Sequence, residues 1–486
     1  MKKYFEPSDF GAVNDGSTFC TEAFQKALDA ASEVGGTVLI ASGCTYLIGT
    51  VYIKSHTTVY LEHNAKILGS NILEKYTKDT GINPYYPEMI DRCLIYCKDC
   101  EDVSIEGPGT IDGGCDGVNY VYPADAVGRE ARQRPMLLRL EDCKNIRLTA
   151  LTLTRAGAWC VHLKHLDNVR LTDVTIINKR QDGFNIEGCS NVTISGCKLE
   201  CGDDAIALTT SRRDKPIKNL TVTNCIMTTR WSAVRMGPLS KGNFENVTVS
   251  NCVFTGCGGG GFKLGMYEGA EIRNCTFSNI VMDGCAAPVN LLVDRFYDIG
   301  NLEEKDDLMP LGSVHHLMFS NIRVIAKKYP LDAPNNEKWA MPQFRSHSDL
   351  NDTIFIHGYP GSDIHHIFFE NIHVTFEGGG SKEIADRRDV TDMDGFGPRD
   401  FGYWTDGKSV WGPLPAYAIY ARHAKSLRFN QVYFDLAEPD ARVPVYMKEC
   451  SDVEFSLFET EHGANRPEII ADKCGSIKAE NTIQTE

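Results

Sequence analysis

The segment Asn246-Val-Thr-Val-Ser-Asn-Cys has four earlier counterparts: Asn145-Ile-Arg-Leu-Thr-Ala-Leu, Asn168-Val-Arg-Leu-Thr-Asp-Val, Asn191-Val-Thr-Ile-Ser-Gly-Cys and Asn219-Leu-Thr-Val-Thr-Asn-Cys. From Asn145 to Asn168 and on to Asn191 the step is 23 residues, then 28 to Asn219 and 27 to Asn246. Each copy alternates apolar and polar residues, the two-residue period of a strand, and no helical spacing separates the copies. A repeat of this size with two or three short strands predicts an all-β chain, a right-handed parallel β-helix whose successive strands lie roughly 4.8 Å apart. Weaker copies continue at Leu317-Met-Phe-Ser-Asn-Ile, Ile367-Phe-Phe-Glu-Asn-Ile and Leu427-Arg-Phe-Asn-Gln-Val. Because a solenoid grows by adding turns, one domain can take up all 486 residues. The expected division is a cap with the first turns over about 1–65 and a solenoid with inserted loops over 66–480.

Before the repeats, Phe24, Ala27, Leu28, Ala31 and Val34 share one helical face, and Gly35-Gly36 closes the segment. A helix here caps the open end of the solenoid. Short β-rich runs follow at Val38–Ile40, Tyr46–Ile48, Val51–Ile53 and Val59–Leu61. Three insertions interrupt the repeats, at Gly113–Pro135, Asp294–Leu311 and Gly378–Leu414. The last carries Phe396, Phe401, Tyr403, Trp404 and Trp411. Ordered loops of this length on a repeat scaffold commonly form the walls of a binding site.

A net charge of −15 argues against nucleic acid and anionic membrane as partners, since both need a basic footprint. No run approaches the roughly 18 apolar residues of a membrane span, and the polar start Met-Lys-Lys-Tyr-Phe-Glu lacks the apolar core of a signal peptide. A cytoplasmic protein is the expectation. Of the 18 cysteines, Cys197, Cys225, Cys252 and Cys275 recur at matching places in the repeats, as small buried hydrophobes do. They read as reduced thiols, with no pair of CxxC motifs at zinc-site spacing.

Turns can be aligned on their inward apolar pairs, Val161/Leu163, Phe184/Ile186, Ile206/Leu208, Val234/Met236 and Phe262/Leu264. Alternation then sends the residue between each pair outward, giving a column of His162, Asn185, Ala207, Arg235 and Lys263. Two residues before each pair runs a second column of Trp159, Asp182, Asp204, Ser232 and Gly260, with Asp203 directly before its member. An aromatic, three acids and two bases on one strip are the inventory of a carbohydrate site. Acids this close repel one another, which favours keeping a proton on one of them. Gly258 to Gly261 is no phosphate loop, because no helix pattern follows it.

At these residues the chain resembles glycoside hydrolase family 28, the polygalacturonase-like parallel β-helix enzymes, from Phe10 to about Phe458. Phe10-Gly-Ala-Val-Asn-Asp-Gly is similar to the family's N-terminal run, and Asp182-Gly183 with Gly202-Asp203-Asp204 to its Asn-Thr-Asp and Asp-Asp motifs. Leu414-Pro-Ala-Tyr-Ala-Ile-Tyr-Ala-Arg-His is similar to a run in bacterial members. The resemblance implies an inverting glycosidase acting on pectic or related plant oligosaccharides, with Asp203 as the acid and Asp182 and Asp204 as the pair that activates water. No cofactor is expected, and no metal, since the acids can work by proton transfer alone and no His/Cys cluster at ligand spacing accompanies them. Trp159, His162, Asn185, Trp231, Arg235 and Lys263 are the expected substrate contacts. The departures bear on the substrate: Arg180-Gln181 stands where polygalacturonases have Asn-Thr, Ser232 between Trp231 and Ala233 replaces Gly-His-Gly, and Gly261-Phe262-Lys263 replaces Arg-Ile-Lys. Arg235, beside Lys263 in its column, can substitute for that missing arginine.

Two other classes share such a solenoid. Polysaccharide lyases use acids to hold Ca²⁺ and an Arg or Lys to remove the proton beside a uronate carboxylate, and a non-catalytic carbohydrate-binding β-helix needs none of the acids. The hydrolase expectation includes exo action, with the loops Gly113–Pro135 and Gly378–Leu414 closing a groove into a pocket around a terminal sugar.

Overall fold

In the computed structural model the described residues are 4–78, 91–115, 134–294, 309–327, 353–388, 413–460, 469–479 and 482–485. They group into two compact units. One runs to Ala207 and includes Lys218–Ile226; the other takes Leu208–Ile217 and the described residues from Met227 onward. Both are built as parallel β-helix. Most of the three insertions, including the aromatics from Phe396 to Trp411, lies outside the described residues.

In the first unit, α1 (Thr21–Ser32) buries Phe24, Ala27, Leu28 and Ala31 against the first strands. It also finishes a sheet edge. The Gln25 amide donates to Tyr52 O at 2.9 Å and its oxygen accepts from Tyr52 N at 2.8 Å, so the edge strand Val51–Ile53 is not left with open backbone groups there. Val34 departs from the expected face and is 45% exposed, because the helix ends at Ser32 and the chain turns through Glu33 before reaching it. The β-rich runs read from sequence form the strands Thr37–Ile40, Thr45–Ile48, Val51–Ile53 and Thr58–Leu61.

Two parallel sheets continue through this unit. Val51–Ile53, Cys93–Lys98, Met136–Glu141, Val161–Lys164 and Phe184–Glu187 pair in that order. Glu101–Glu106, Lys144–Thr149, Asp167–Thr172 and Ser190–Ser195 form part of the second. Their inward pairs, such as Val161/Leu163 and Phe184/Ile186, are fully buried, each worth roughly 1.5–3 kcal/mol of apolar burial per side chain. The repeat asparagines explain the corners. Asn145, Asn168, Asn191 and Asn219 all take left-handed backbone, which Asn tolerates better than most residues. Asn168 donates to the Asn145 side chain at 2.7 Å and Asn219 to that of Asn191 at 3.0 Å. Each turn therefore carries the corner of the next.

The second unit repeats the plan with longer strands. Ser232–Ser240, Gly260–Met266, Val289–Val293, Ile354–Gly358, Ala416–Arg422, Val443–Lys448 and Ile469–Asp472 form one sheet. Phe244–Thr255, Glu271–Cys285, Ser313–Ala326, Asp363–Phe376, Ala424–Leu436 and Ser451–Thr460 form the other. The weaker repeat copies are in register, Leu317 with Ile367 and Ile367 with Leu427. Phe277, Phe319, Phe369, Phe429 and Phe455 stack through the core with centroids 4.6–5.0 Å apart, one ring per turn.

All 18 cysteines are free, and all but Cys44, Cys100 and Cys474 are buried, as expected of repeat-core thiols. Among the described residues no helix is long and apolar enough to cross a membrane.

Candidate active site

Sequence dictates the acid cluster through two glycines and an asparagine. The Asn178 side chain is buried and donates to Ala158 O at 2.9 Å and Asp182 O at 3.1 Å, fixing the turn that presents Asp182. A Cβ at Gly183 would fall 2.6 Å from Ala205 O and 2.8 Å from Cys201 Sγ. One at Gly202 would fall 2.2 Å from Lys179 O. Only glycine lets the neighbouring turns approach this closely. Gly183 N then donates to Asp204 O at 3.0 Å and Gly202 N to Asn178 O at 2.9 Å, locking Asp182 beside Asp203 and Asp204.

The result is a carboxylate from each of Asp182, Asp203 and Asp204 with oxygens within 4.8 Å of one another. The three residues are buried, at 5%, 8% and 3% exposure. Asn185 Nδ2 donates to Asp182 Oδ2 at 2.7 Å, a contact that suits a carboxylate acceptor, and Asp203 Oδ1 accepts from Asp204 N at 3.0 Å. Beneath them lies Cys201, whose thiol is pushed far up, first by burial and then by Cys160 and the acids, so it stays protonated and inert. Such an all-oxygen donor set also suits a hard cation. A second cluster, His56 with Glu101 and Asp102, is exposed, and Asp102 also accepts from Asn145 at 2.8 Å.

His162 is in register with Asn185, as the outward column requires, yet it is 0% exposed. Arg139 lies 3.1 Å from its Nδ1 and Glu187 lies 3.2 Å from its Nε2. A guanidinium only donates, so Nδ1 accepts and Nε2–H donates to Glu187. Burial pushes this histidine down to about 4, against the pull of Glu187 and with the help of Arg139, and the neutral ring results. A sugar reaches it only if one of these partners yields. Trp159 packs edge-on against His162 at 5.0 Å, in an apolar cluster with Cys93, Tyr96, Met136 and Ala158.

Sequence reasoning missed the rest of this network. Arg139, completely buried, donates to Glu141 at 2.9 Å, and Tyr96 OH lies 3.3 Å from the same carboxylate. The signal was present: Tyr52 pairs with Tyr96, Tyr96 with Arg139 and Arg139 with His162, so the outward column begins three turns earlier than His162.

Trp231, Arg235 and Lys263 belong to the second unit. Arg235 is in register with Lys263, and the Lys263 ammonium sits 4.1 Å from the centroid of Trp231, a cation–π contact buried from water. The Gly258–Gly261 run has a packing role here. A Cβ at Gly259 would lie 2.9 Å from the Trp231 backbone, to which Gly259 N donates at 2.8 Å.

Known proteins share this fold. A "Probable polygalacturonase" of Vitis vinifera is 28% identical over 290 residues, 53% of this chain and 58% of that protein, so less than two thirds of the relative is spanned. A second "Probable polygalacturonase", from Arabidopsis thaliana, is 26% identical over 348 residues, covering 68% of this chain and 70% of the relative. The solved family 28 exopolygalacturonase of Yersinia enterocolitica matches in fold with a TM-score of 0.67 at 18% identity, covering 93% of this chain and 78% of that one. The family model described as glycosyl hydrolases family 28 matches residues 45–324, more than half of the chain, and the protein belongs to that family.

Proposed function

We propose that this protein hydrolyses glycosidic bonds in pectic, galacturonate-containing chains, inverting the anomeric centre and working from chain ends. The observation that carries the reading is the cluster of Asp182, Asp203 and Asp204 within 4.8 Å in a member of family 28. Like charges at that range favour one shared proton, and Asp203 is its proposed holder. Asp203 protonates the leaving oxygen while Asp182 and Asp204 take a proton from the attacking water. Asn185 steadies Asp182 as an acceptor. Arg235 and Lys263 are the proposed contacts for the sugar's acidic groups and Trp231 for its apolar face, with Lys263 and Trp231 reaching it only where their buried contact opens; Trp159 and His162 are proposed contacts on the same condition.

The spacing bears on stereochemistry. Inverting carboxyl pairs commonly stand roughly 6.5–9.5 Å apart and retaining pairs about 5–5.5 Å. Those separations are between carboxyl groups, whereas 4.8 Å bounds single oxygens, and a water about 2.8 Å from each of two such oxygens fits between them. In the inverting reading Asp182 and Asp204 hold that water together, at the flank of Asp203.

Exo action is supported by the relative named an exopolygalacturonase and by the length of the insertions at Gly113–Pro135 and Gly378–Leu414. Time courses on defined galacturonate oligosaccharides test it. Release of single sugars from the first minutes is expected. Early internal fragments of mixed length would contradict end-wise cutting, and an ultraviolet-absorbing unsaturated product would replace hydrolysis by elimination.

A further inference from the structure

The corner column of the second unit changes chemistry at two consecutive turns. The left-handed corner position holds Asn246 and Asn274, then His316 and His366, then Ser426 and Asp452. Nothing in the corner's backbone requires imidazole, since small polar residues serve on either side. Each of these histidines follows another, and the pairs are in register, His315 against His365. His315 stacks on His365 and His316 on His366, both with centroids 4.8 Å apart and planes within 3°. Within each pair the rings stand nearly perpendicular and the Nδ1 atoms meet, at 2.8 Å for His315 and His316 and 2.5 Å for His365 and His366. Such a contact needs one hydrogen, donated by one ring into the lone pair of the other. A pair can therefore take up one proton and keep its bond, whereas a second proton puts hydrogens on both nitrogens and parts them.

The surrounding charges do not offset a further proton. Among the described residues Arg273 is in register with His315 and Lys425 with His365, and the acids that face the array are Glu271 and Asp363. Those acids are already matched, Glu271 to Arg273 at 3.1 Å and Asp363 to Lys425 at 2.9 Å. Asp363 also lies 3.3 Å from His365 Nε2, where it can serve one imidazolium. Burial, above every other cause, holds His315 and His365 below the ordinary histidine range; the neighbouring histidines, Arg273 and Lys425 add to it, against the pull of Glu271 and Asp363.

We propose that His315, His316, His365 and His366 form an acid-sensitive latch, which ties the strands Ser313–Ala326 and Asp363–Phe376 together at their corner and releases them on acidification, independently of the hydrolase reading. With the corner open, all four rings charge near the ordinary histidine value of about 6.5, whereas the closed latch takes two protons, one per pair. Below about pH 6.5 the open form therefore binds more protons and gains on the closed one as pH falls, and above it the latch holds in full. Water screens the outer rings, since His316 and His366 are exposed. It does not relieve the inner ones, because His315 and His365 are half-buried and nothing fits between nitrogens 2.5 or 2.8 Å apart.

The test is amide hydrogen exchange of the whole chain, read by mass spectrometry at about pH 7.5 and about pH 5 and corrected for the intrinsic effect of pH, alongside the His316→Asn/His366→Asn double variant. Asparagine is what the same column uses at Asn246 and Asn274 with the same left-handed backbone, so this variant is expected to keep the fold, checked by its far-ultraviolet circular dichroism. Each withheld proton is worth about tenfold per pH unit below the open-state value. In the wild type, protection of Ser313–Ala326 and Asp363–Phe376 should therefore fall at least about tenfold between the two conditions, and in the double variant less than about threefold. His366→Asn alone, which removes one of the two Nδ1 contacts, should lie between them. The strand Asp167–Thr172, whose corner residue is Asn168, should keep its protection in every protein. Wild-type corner strands that stay equally protected at the lower pH would overturn the latch without recourse to any variant, and so would an equal fall in wild type and double variant.

Discussion

The two sheets of the first unit have the same period and the same parallel register, and their outward faces differ. On one, Arg147, Arg170 and Thr193 follow one another in register and all are exposed. On the other, Tyr96, Arg139, His162 and Asn185 follow one another in register and all are buried. Exposed outward positions tolerate like charges side by side, because water screens Arg147 from Arg170. Buried ones require a partner for every donor and acceptor, and Arg139 has Glu141 and His162, His162 has Glu187, and Asn185 has Asp182. The acids stand at the end of that paired column. A wall of buried polar side chains, each paired through at least one atom though Arg139 Nε is not, holds its members still, as a site that positions water and a leaving oxygen needs.

Substitutions on the two faces should therefore separate widely. The largest effect is expected at Asp203. Asp203→Asn should lower turnover by about two to four orders of magnitude, the usual contribution of a general acid, with an unchanged unfolding midpoint. Arg170→Ala should leave turnover and midpoint alike. Initial rates on galacturonate oligosaccharides make the comparison, and comparable rates for Asp203→Asn and wild type would remove that residue from its role.

Next comes Arg139. Burial works against the Glu141 carboxylate, but Arg139 with Lys164 and Lys98 holds it below the usual range. Arg139→Met removes the nearest cation and the donor to His162, and breaking a buried pair from one side costs about 3–5 kcal/mol. Urea unfolding should show that loss, whereas Arg170→Met should change stability by less than about 0.5 kcal/mol. Equal effects on the two faces would erase the distinction drawn here.

The smallest of the three is Asn185→Ala. A hydrogen bond to a charged group is worth about 1.5–3 kcal/mol, so kcat should fall roughly 10- to 150-fold while KM changes little. A fall in KM-linked binding with kcat preserved would make Asn185 a sugar contact instead of a support for Asp182.

Much of this was legible in the chain. Alternation at Val161-His162-Leu163 and Phe184-Asn185-Ile186 marks which residues point inward, and the recurring asparagines mark corners where left-handed backbone is needed. Asp182 and the Asp203-Asp204 pair fall one turn apart, so their meeting follows from the repeat length. Other features depend on what covers a surface, and a period of two says only that a residue points away from the core. That is why the expected contacts read as solvent-facing although Trp159, His162, Asn185, Trp231 and Lys263 are all buried and only Arg235 is half-buried, and why Arg139 and Tyr96 passed unnoticed. Val34 failed for a local reason, because the helical spacing continues two residues past the end of α1 at Ser32. The strand Glu271–Cys285 turns through corners without losing its pairing, which short apolar runs separated by Asn274 and Asn279 do not announce.

The central claim is that three acids within 4.8 Å hydrolyse the bond by one direct displacement, with water held at the flank. Proton NMR of the first product formed from a defined galacturonate oligosaccharide, recorded before mutarotation, tests it most directly. The account predicts a new reducing end whose anomeric configuration is opposite to that of the bond cleaved. A product of the same configuration would show a covalent intermediate, and would reassign one of Asp182, Asp203 and Asp204 as nucleophile.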